Sequence, residues 1–346
     1  MSKALIAMSG GVDSSVAAHL TLKEGYDCIG ATMLLCGDLA PGGGAEDARA
    51  VADRLGIPFY VFDHTDRFRE KVVDAFVKCY EEGGTPNPCL YCNRHLKFDA
   101  LLQEAENLGC EYIVTGHYAR IEKDENTGRF LLKKAADTAK DQSYFLSCLN
   151  QYQLAHTLFP LGDMTKEQVR NVAESEGFVT AKKKDSQDIC FIPDGDYRSF
   201  LERYTGKDYP AGDYLDLSGK VVGKHSGAVG YTIGQRKGLG IALGEPAYVC
   251  SKDMAANTVT VGPDAALFSK SLIAEDMNWI AIENPTEPLR CKARIRYRHT
   301  EQPATVYPLP DGKVKVEFDE PQRAITPGQT LVLYDGDTVI AGGTII

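Results

Sequence analysis

The chain has 346 residues, 38 basic against 48 acidic side chains for a net charge of −10, and 43% hydrophobic residues. That balance belongs to a soluble globular protein long enough for two or three cores, and it excludes collagen-like, disordered and disulfide-stapled miniature classes. No apolar run approaches the ~18–20 residues that span a bilayer, and Met1–Met8 is too short for a signal segment before Ser9-Gly10-Gly11 interrupts it, so a cytoplasmic protein with no membrane contact is expected.

In chain order, strands are expected at Lys3–Met8, Cys28–Leu35, Pro58–Phe62 and Glu111–Thr115, alternating with helices at Ser14–Glu24, Ala45–Leu55, Arg67–Glu82 and Phe98–Leu108. Each helix is closed by a glycine (Gly25, Gly56, Gly83, Gly109), the residue a helix C-terminus prefers. The alternation predicts an α/β domain with a parallel sheet covered on both faces. Gly37–Gly44, with Pro41, reads as a mobile loop after a strand, and the prolines at 86 and 88 predict a non-helical Thr85–Asn93. Thr165 and Gln168 form a capping box that starts one more helix to Glu176. From about Gly212 short β runs replace helical periodicity, as at Val259–Val261, Val314–Phe318 and Thr330–Tyr334. The expected division is 1–205 for the α/β domain, 206–275 for a small β-rich module and 276–346 for a β-barrel or sandwich.

Ser9-Gly10-Gly11-Val12-Asp13-Ser14-Ser15 sits between the first strand and the first helix. Small residues at such a junction let unpaired amides and the positive helix end converge on an anion. No Gly-Lys-Ser/Thr closes the loop and no Gly-x-Gly-x-x-Gly spacing is present, so the Walker A and dinucleotide folds are excluded. This string resembles the signature of the PP-loop ATP pyrophosphatase superfamily, of the adenine nucleotide alpha hydrolase-like fold. The resemblance implies cleavage of ATP to AMP and pyrophosphate during adenylation of a substrate.

The 10 cysteines are scattered rather than framed, and most read as reduced apolar fillers. Cys89-Leu90-Tyr91-Cys92 stands alone as a Cys-x-x-Cys, open to a redox pair, half a metal site or two unrelated thiols; structural zinc would want a second pair. A thiol beside Arg94 or Lys97 would shift toward thiolate. Cys190 follows Lys182–Lys184 and Asp188 in a segment, 185–191, too polar for a core strand, which points to an active-site loop beside a phosphate-rich substrate.

Taken with Thr115-Gly116-His117-Tyr118, Lys140–Phe145, Gly230–Gly240, Arg296-Tyr297-Arg298 and Thr326–Gln329, these segments resemble the tRNA-specific 2-thiouridylase family from residue 9 to 329. The resemblance implies ATP-dependent 2-thiolation of the wobble uridine in tRNAs for glutamate, glutamine and lysine, with a C-terminal β-barrel. It implies an ATP site at Ala7, Met8, Ser9, Gly10, Gly11, Val12, Asp13, Ser14, Met33 and Gly116, with Asp13 a candidate to place Mg²⁺. It implies tRNA or target-base contacts at Asn87, Pro88, Cys89, His117, Lys140, Asp141, Gln142, Arg296, Tyr297 and Gln329. Sulfur would arrive as a persulfide on Cys190, loaded by a cysteine desulfurase or sulfur-carrier proteins, and Cys92 would attack it, releasing sulfide or leaving a Cys92–Cys190 disulfide. Cys89 departs from the Asp common at its position, and Cys89, Cys92 and Cys190 then also resemble the three-cysteine set that holds a [4Fe–4S] cluster in related thiolases.

Lys292, Arg294, Arg296 and Arg298 alternate, which on a strand would form one basic stripe suited to a phosphate backbone, extended by Lys182–Lys184 and Arg236-Lys237. A target uridine in the anticodon stem-loop must be turned out of its stack to reach a buried ATP. Two other classes remain: a PP-loop amidotransferase or ligase, and a non-catalytic RNA-binding protein. Pyrophosphate release that depends on tRNA separates them.

Overall fold

Alternation along the first strand sets the two faces of the N-terminal sheet: Leu5 faces one layer, Ala4 and Ile6 the other, and all three are fully buried. The computed structural model describes residues 1–39, 44–183, 189–242 and 244–346; the glycine loop at 40–43 and the expected active-site segment from Lys184 to Asp188 lie outside them. The strands are β1 (Lys3–Ala7), β2 (Asp27–Leu34), β3 (Phe59–Asp63), β4 (Tyr112–Val114), β5 (Ala119–Lys123), β6 (Phe130–Lys134) and β7 (Thr157–Leu158). Five of them form a parallel sheet in the order β3-β2-β1-β4-β7. Helices α1 (Val12–Lys23) and α2 (Ala45–Leu55), with Lys166–Ser175, cover the Ala4 and Ile6 face; the helical run 88–107 covers the Leu5 face.

The α/β reading therefore holds, with two corrections to its helices. Helix α1 starts at Val12 rather than Ser14, so Asp13 and Ser14 occupy its first turn. The Thr85–Asn93 segment is not free of helix: Pro88–Cys92 is helical and runs on to Asn107. Pro88 stands in the first turn, where a missing N–H costs nothing and a fixed φ suits the helix, so only the chain through Asn87 stays extended. Within this run Asn93–Ala100 takes the wider π-helical winding, often a mark of functional sites. The Thr165/Gln168 capping box forms as expected.

Strands β8 (Gly212–Leu215), β9 (Val221–His225), β10 (Tyr248–Asp253) and β11 (Thr258–Gly262) make a four-stranded sheet. β12 (Phe268–Trp279), β13 (Leu289–Arg294), β14 (Gln302–Pro308), β15 (Val314–Arg323), β16 (Thr330–Asp335) and β17 (Thr338–Ile345) follow. They pair antiparallel around a ring closed by β12 with β17, which makes the C-terminal unit a barrel. The β5–β6 hairpin extends this sheet through Thr338↔Lys133.

The expected basic stripe is not one strand face, because β13 ends at Arg294. Arg294 turns toward Asp141 at 3.8 Å and over the rings of Tyr144, Tyr297 and Tyr334. Arg296 donates to the carbonyls of Arg323 and Ala324. Lys292 and Arg298 remain exposed.

Candidate functional site

From β1 the chain passes to β2 and β3 on one side, then returns to β4 and β7 on the other, so the order reverses between β1 and β4. Such a switch point leaves a crevice beyond the carboxyl ends of the strands. A cavity of about 240 Å³ lies there, lined by Ala7, Met8, Ser9, Asp13 and Ser14 from the first strand–helix junction, Ala31, Thr32 and Met33 from β2 with Leu35 just past it, and Thr115, Gly116 and His117 beyond β4; Lys97, Leu101 and Gln142 complete it.

The phosphate loop is shaped by close backbone contacts. Gly10 has φ +70°, and a Cβ there would stand 2.2 Å from the Gly44 carbonyl oxygen. Gly11 caps α1 without a side-chain hydrogen bond, while Ser14 and Ser15 donate to its carbonyl at 3.0 and 2.9 Å. The Ser9 amide donates to Ser14 Oγ at 3.2 Å. Val12 is a core residue, 3% exposed, and supports the loop from behind. Asp13 accepts from Tyr118 Oη at 2.8 Å and from Lys166 Nζ at 2.7 and 2.8 Å. That carboxylate is already paired, and among the described residues no three His, Cys, Asp or Glu side chains converge to hold a metal. In the described conformation Asp13 is thus engaged by Lys166, and Cys89, Cys92 and Cys190 are not gathered around one point.

Two lysines frame the loop from outside the strand–helix junction. Lys166 is the first residue of its helix, and no sequence signal marked it. Lys183, expected on an RNA-facing basic track, donates to the Gly10 carbonyl at 2.9 Å and pairs with Asp47 at 2.7 Å. Together with the Ser15–Thr180 hydroxyl contact of 2.9 Å, this fastens 180–183 to the phosphate loop.

His117 is half-buried and packs on Phe98 and Phe159, with Thr115 Oγ1 at 2.7 Å from Nδ1 and Lys97 Nζ at 3.5 Å from Nε2. Burial first, then the Lys97 charge, hold its pKa well below the usual histidine value, so the ring is neutral and Nε2 accepts from Lys97. Lys97 faces the cavity from the π-helical turn and also acts electrostatically on Cys89, Cys92 and Cys190.

The thiols divide sharply. Cys92 is buried, and burial pushes its pKa up to about 12 against the opposing pull of Lys97. The expected thiolate shift at Cys92 is therefore absent, because desolvation outweighs the cation. Cys89 meets solvent, yet the dense protein around it also raises its pKa. Cys190 is exposed and is lowered to about 7, chiefly by a hydrogen bond from Cys36, whose Sγ lies 3.8 Å away, and further by Lys97. Nothing in the sequence singles out Cys36 among the 10 cysteines except its place just past the end of β2, where a doubly wound sheet binds ligands. Iodoacetamide should accordingly label Cys190 with a midpoint at about pH 7 and leave Cys92 unlabelled in the folded protein. Peptide mass spectrometry over roughly pH 5 to 9 reads this, and labelling of Cys92 ahead of Cys190 would refute it.

The residues expected at tRNA do not share one surface. His117 and Gln142 line the cavity, where Gln142 Oε1 accepts from the Tyr118 amide at 2.9 Å. Asp141 is buried and accepts from the amides of Ala135 and Ser143 and from Ser143 Oγ, at 3.1, 3.2 and 2.8 Å. Lys140 lies in the turn just before it, its amide on the Asp137 carbonyl at 3.0 Å. Tyr297 packs against Phe145 with the rings tilted by 41° and their centroids 4.5 Å apart. Asn87 precedes the Pro88–Cys92 turn, and Gln329 reaches this loop from the barrel, donating to the Thr85 carbonyl at 2.8 Å.

Residues 2–194 match the family described as tRNA methyl transferase HUP domain, 198–263 the tRNA methyl transferase PRC-barrel domain and 269–345 the Aminomethyltransferase beta-barrel domain. The chain is 49% identical over 352 residues to the tRNA-specific 2-thiouridylase MnmA of Clostridioides difficile, spanning 99% of this chain and 98% of that protein. It is 50% identical over 354 residues to the protein of the same name from Acetivibrio thermocellus, spanning 99% of each.

Proposed function

The chain belongs to the tRNA-specific 2-thiouridylase family, a tRNA-uridine 2-sulfurtransferase by that membership, and on that premise we propose how its own residues carry the reaction. ATP binds in the switch-point cavity, with its adenosine along Met33 and Leu35 and its phosphates over Ser9–Ser14. The wobble uridine of tRNAs for glutamate, glutamine and lysine is turned out of the anticodon loop toward Asn87–Cys89. Its C2 oxygen attacks the α-phosphate, pyrophosphate leaves, and AMP becomes the leaving group at C2.

Helix α1, its amides and Lys166 and Lys183 stabilise the departing pyrophosphate. Lys97 screens the charge between nucleotide and thiols. Cys190 accepts sulfur as a persulfide from a cysteine desulfurase or carrier protein in the cytoplasm, and a neighbouring thiol, Cys92 by family resemblance, discharges it. The observation that carries this reading is that one cation, Lys97, faces both the nucleotide cavity and the exposed low-pKa thiol.

The test measures pyrophosphate release, tRNA thiolation, iron and acid-labile sulfide on one anaerobic preparation, for wild type and Cys89→Ser. Pyrophosphate release that requires tRNA and matches thiolation, without stoichiometric iron, is expected. Release without tRNA would favour a ligase acting on a small molecule. Iron lost together with activity in Cys89→Ser would replace the persulfide by a [4Fe–4S] cluster on Cys89, Cys92 and Cys190.

A further inference from the structure

A thiol that carries sulfur from a protein to a tRNA must be reached by both. The nucleotide cavity accounts for the second approach. A separate cavity of about 750 Å³, within the ~300–1,000 Å³ of ligand clefts, is so far without a role. One short segment joins the two: Leu35 lines the nucleotide cavity, Cys36 Sγ lies 3.8 Å from Cys190 Sγ, and Leu39 lines the second cavity. Phe191, the neighbour of Cys190, lines it as well. Its floor is aromatic, with Phe191 and Phe200 buried and their ring centroids 5.3 Å apart, and Tyr204 stacked on Phe200 at 5.6 Å. Tyr204 Oη is committed to Asp74 at 2.7 Å. Arg69 and Arg203 are exposed beside this floor, with Asp194. An aromatic floor under two arginines suits a polypeptide: the rings anchor apolar side chains and the guanidinium groups hold carboxylates. A nucleic-acid strand fits less well, because Asp194 would face its phosphates.

We propose that this cavity seats the cysteine-bearing segment of a cysteine desulfurase, a segment with apolar and acidic side chains, and so presents the donor's persulfide to Cys190; this rests on the persulfide reading above. The Cys190 thiolate attacks the outer sulfur of the donor persulfide. The bond between that sulfur and the donor cysteine breaks, the donor cysteine leaves as a thiolate, and the persulfide now stands on Cys190, with no outside oxidant or reductant consumed. Sulfur is loaded from one cavity and spent toward the other, and its discharge by Cys92 is unaffected.

The full-length protein, reduced and kept anaerobic, is loaded in parallel by the source organism's cysteine desulfurase with L-cysteine and by inorganic polysulfide, and peptide mass spectrometry follows the persulfide on Cys190. Arg69→Glu and Arg203→Glu should each slow loading by the desulfurase about ten-fold, through its KM rather than its kcat. Polysulfide loading, tRNA-dependent pyrophosphate release and melting temperature should match wild type. Arg203→Gln should show the same selectivity at smaller size, and it carries the test if a charge reversal folds poorly. Unchanged loading by the desulfurase in both reversals would overturn the proposal, as would a wild type that accepts sulfur from polysulfide alone. Weakened tRNA binding with intact loading would overturn it in favour of an RNA contact. A wild type that gains no persulfide on Cys190 from either source would remove the persulfide reading itself, and the dock with it.

Discussion

Cys190→Ser should abolish tRNA thiolation, by about 10³-fold or more, while tRNA-dependent pyrophosphate release continues. The two half-reactions use different atoms. On the proposed reading nucleotide handling falls to the residues that line the cavity, Ser9–Ser14 with Met33, Leu35 and Gly116, whereas the Cys190 thiol accepts its hydrogen bond from Cys36, which does not line it. A serine hydroxyl keeps the shape but not the polarisable, ionisable sulfur, so it cannot carry a sulfane atom. Electrophoresis in a mercury-containing gel, which retards thiolated RNA, measures one half, and a pyrophosphate assay the other. Residual thiolation above background, or equal loss of both steps, would contradict the division of labour.

Gly116→Ala should raise the KM for ATP about 10²-fold, the size of effect expected when reacting groups shift by an ångström. The chain beyond β4 crosses the start of α1 so tightly that a Cβ on Gly116 would stand 2.7 Å from both the Asp13 carbonyl carbon and the Ser14 nitrogen. Those neighbours are backbone and cannot swing aside, and Asp13 is held by Tyr118 and Lys166. The methyl therefore displaces the first turn of α1, with an overpacking cost of ~1–3 kcal/mol to the fold. Gly109→Ala is the matched comparison: its φ is +71° but nothing lies within 4 Å of a Cβ there. It should lose ~1 kcal/mol in urea unfolding and keep the wild-type KM. Equal KM values for the two variants would disprove the contact argument.

The phosphate loop, the β-α alternation and the capped helix at 166–175 were legible in the sequence because each is local, written in residues within a turn or two of one another. Pro88 was misleading for a local reason as well: the rule that proline breaks helices applies to their interiors, and position one is exempt. What stayed hidden is long-range. Cys36 is an isolated thiol whose partner lies 154 residues away. The alternating Lys292–Arg298 run looked like a strand face, but β13 stops pairing with β16 at Arg294↔Val332, and the arginine side chains find aromatic rings and carbonyls instead. Cys92 has a cation nearby in sequence, yet its ionisation is set by burial, which only the packing of Phe68, Phe76 and Phe191 reveals.

The barrel and the Pro88–Cys92 turn are joined at one small joint. The Thr85 amide donates to the Pro327 carbonyl at 2.8 Å, Gln329 returns a bond to the Thr85 carbonyl, and Gly328 donates to the carbonyl of Ile345 at 2.8 Å. The final strand is thus part of what fixes the loop leading into Asn87 and Cys89. The barrel is thereby a brace for the approach to Pro88: a displacement at Ile345 passes through Gly328 and Gln329 to both the amide and the carbonyl of Thr85.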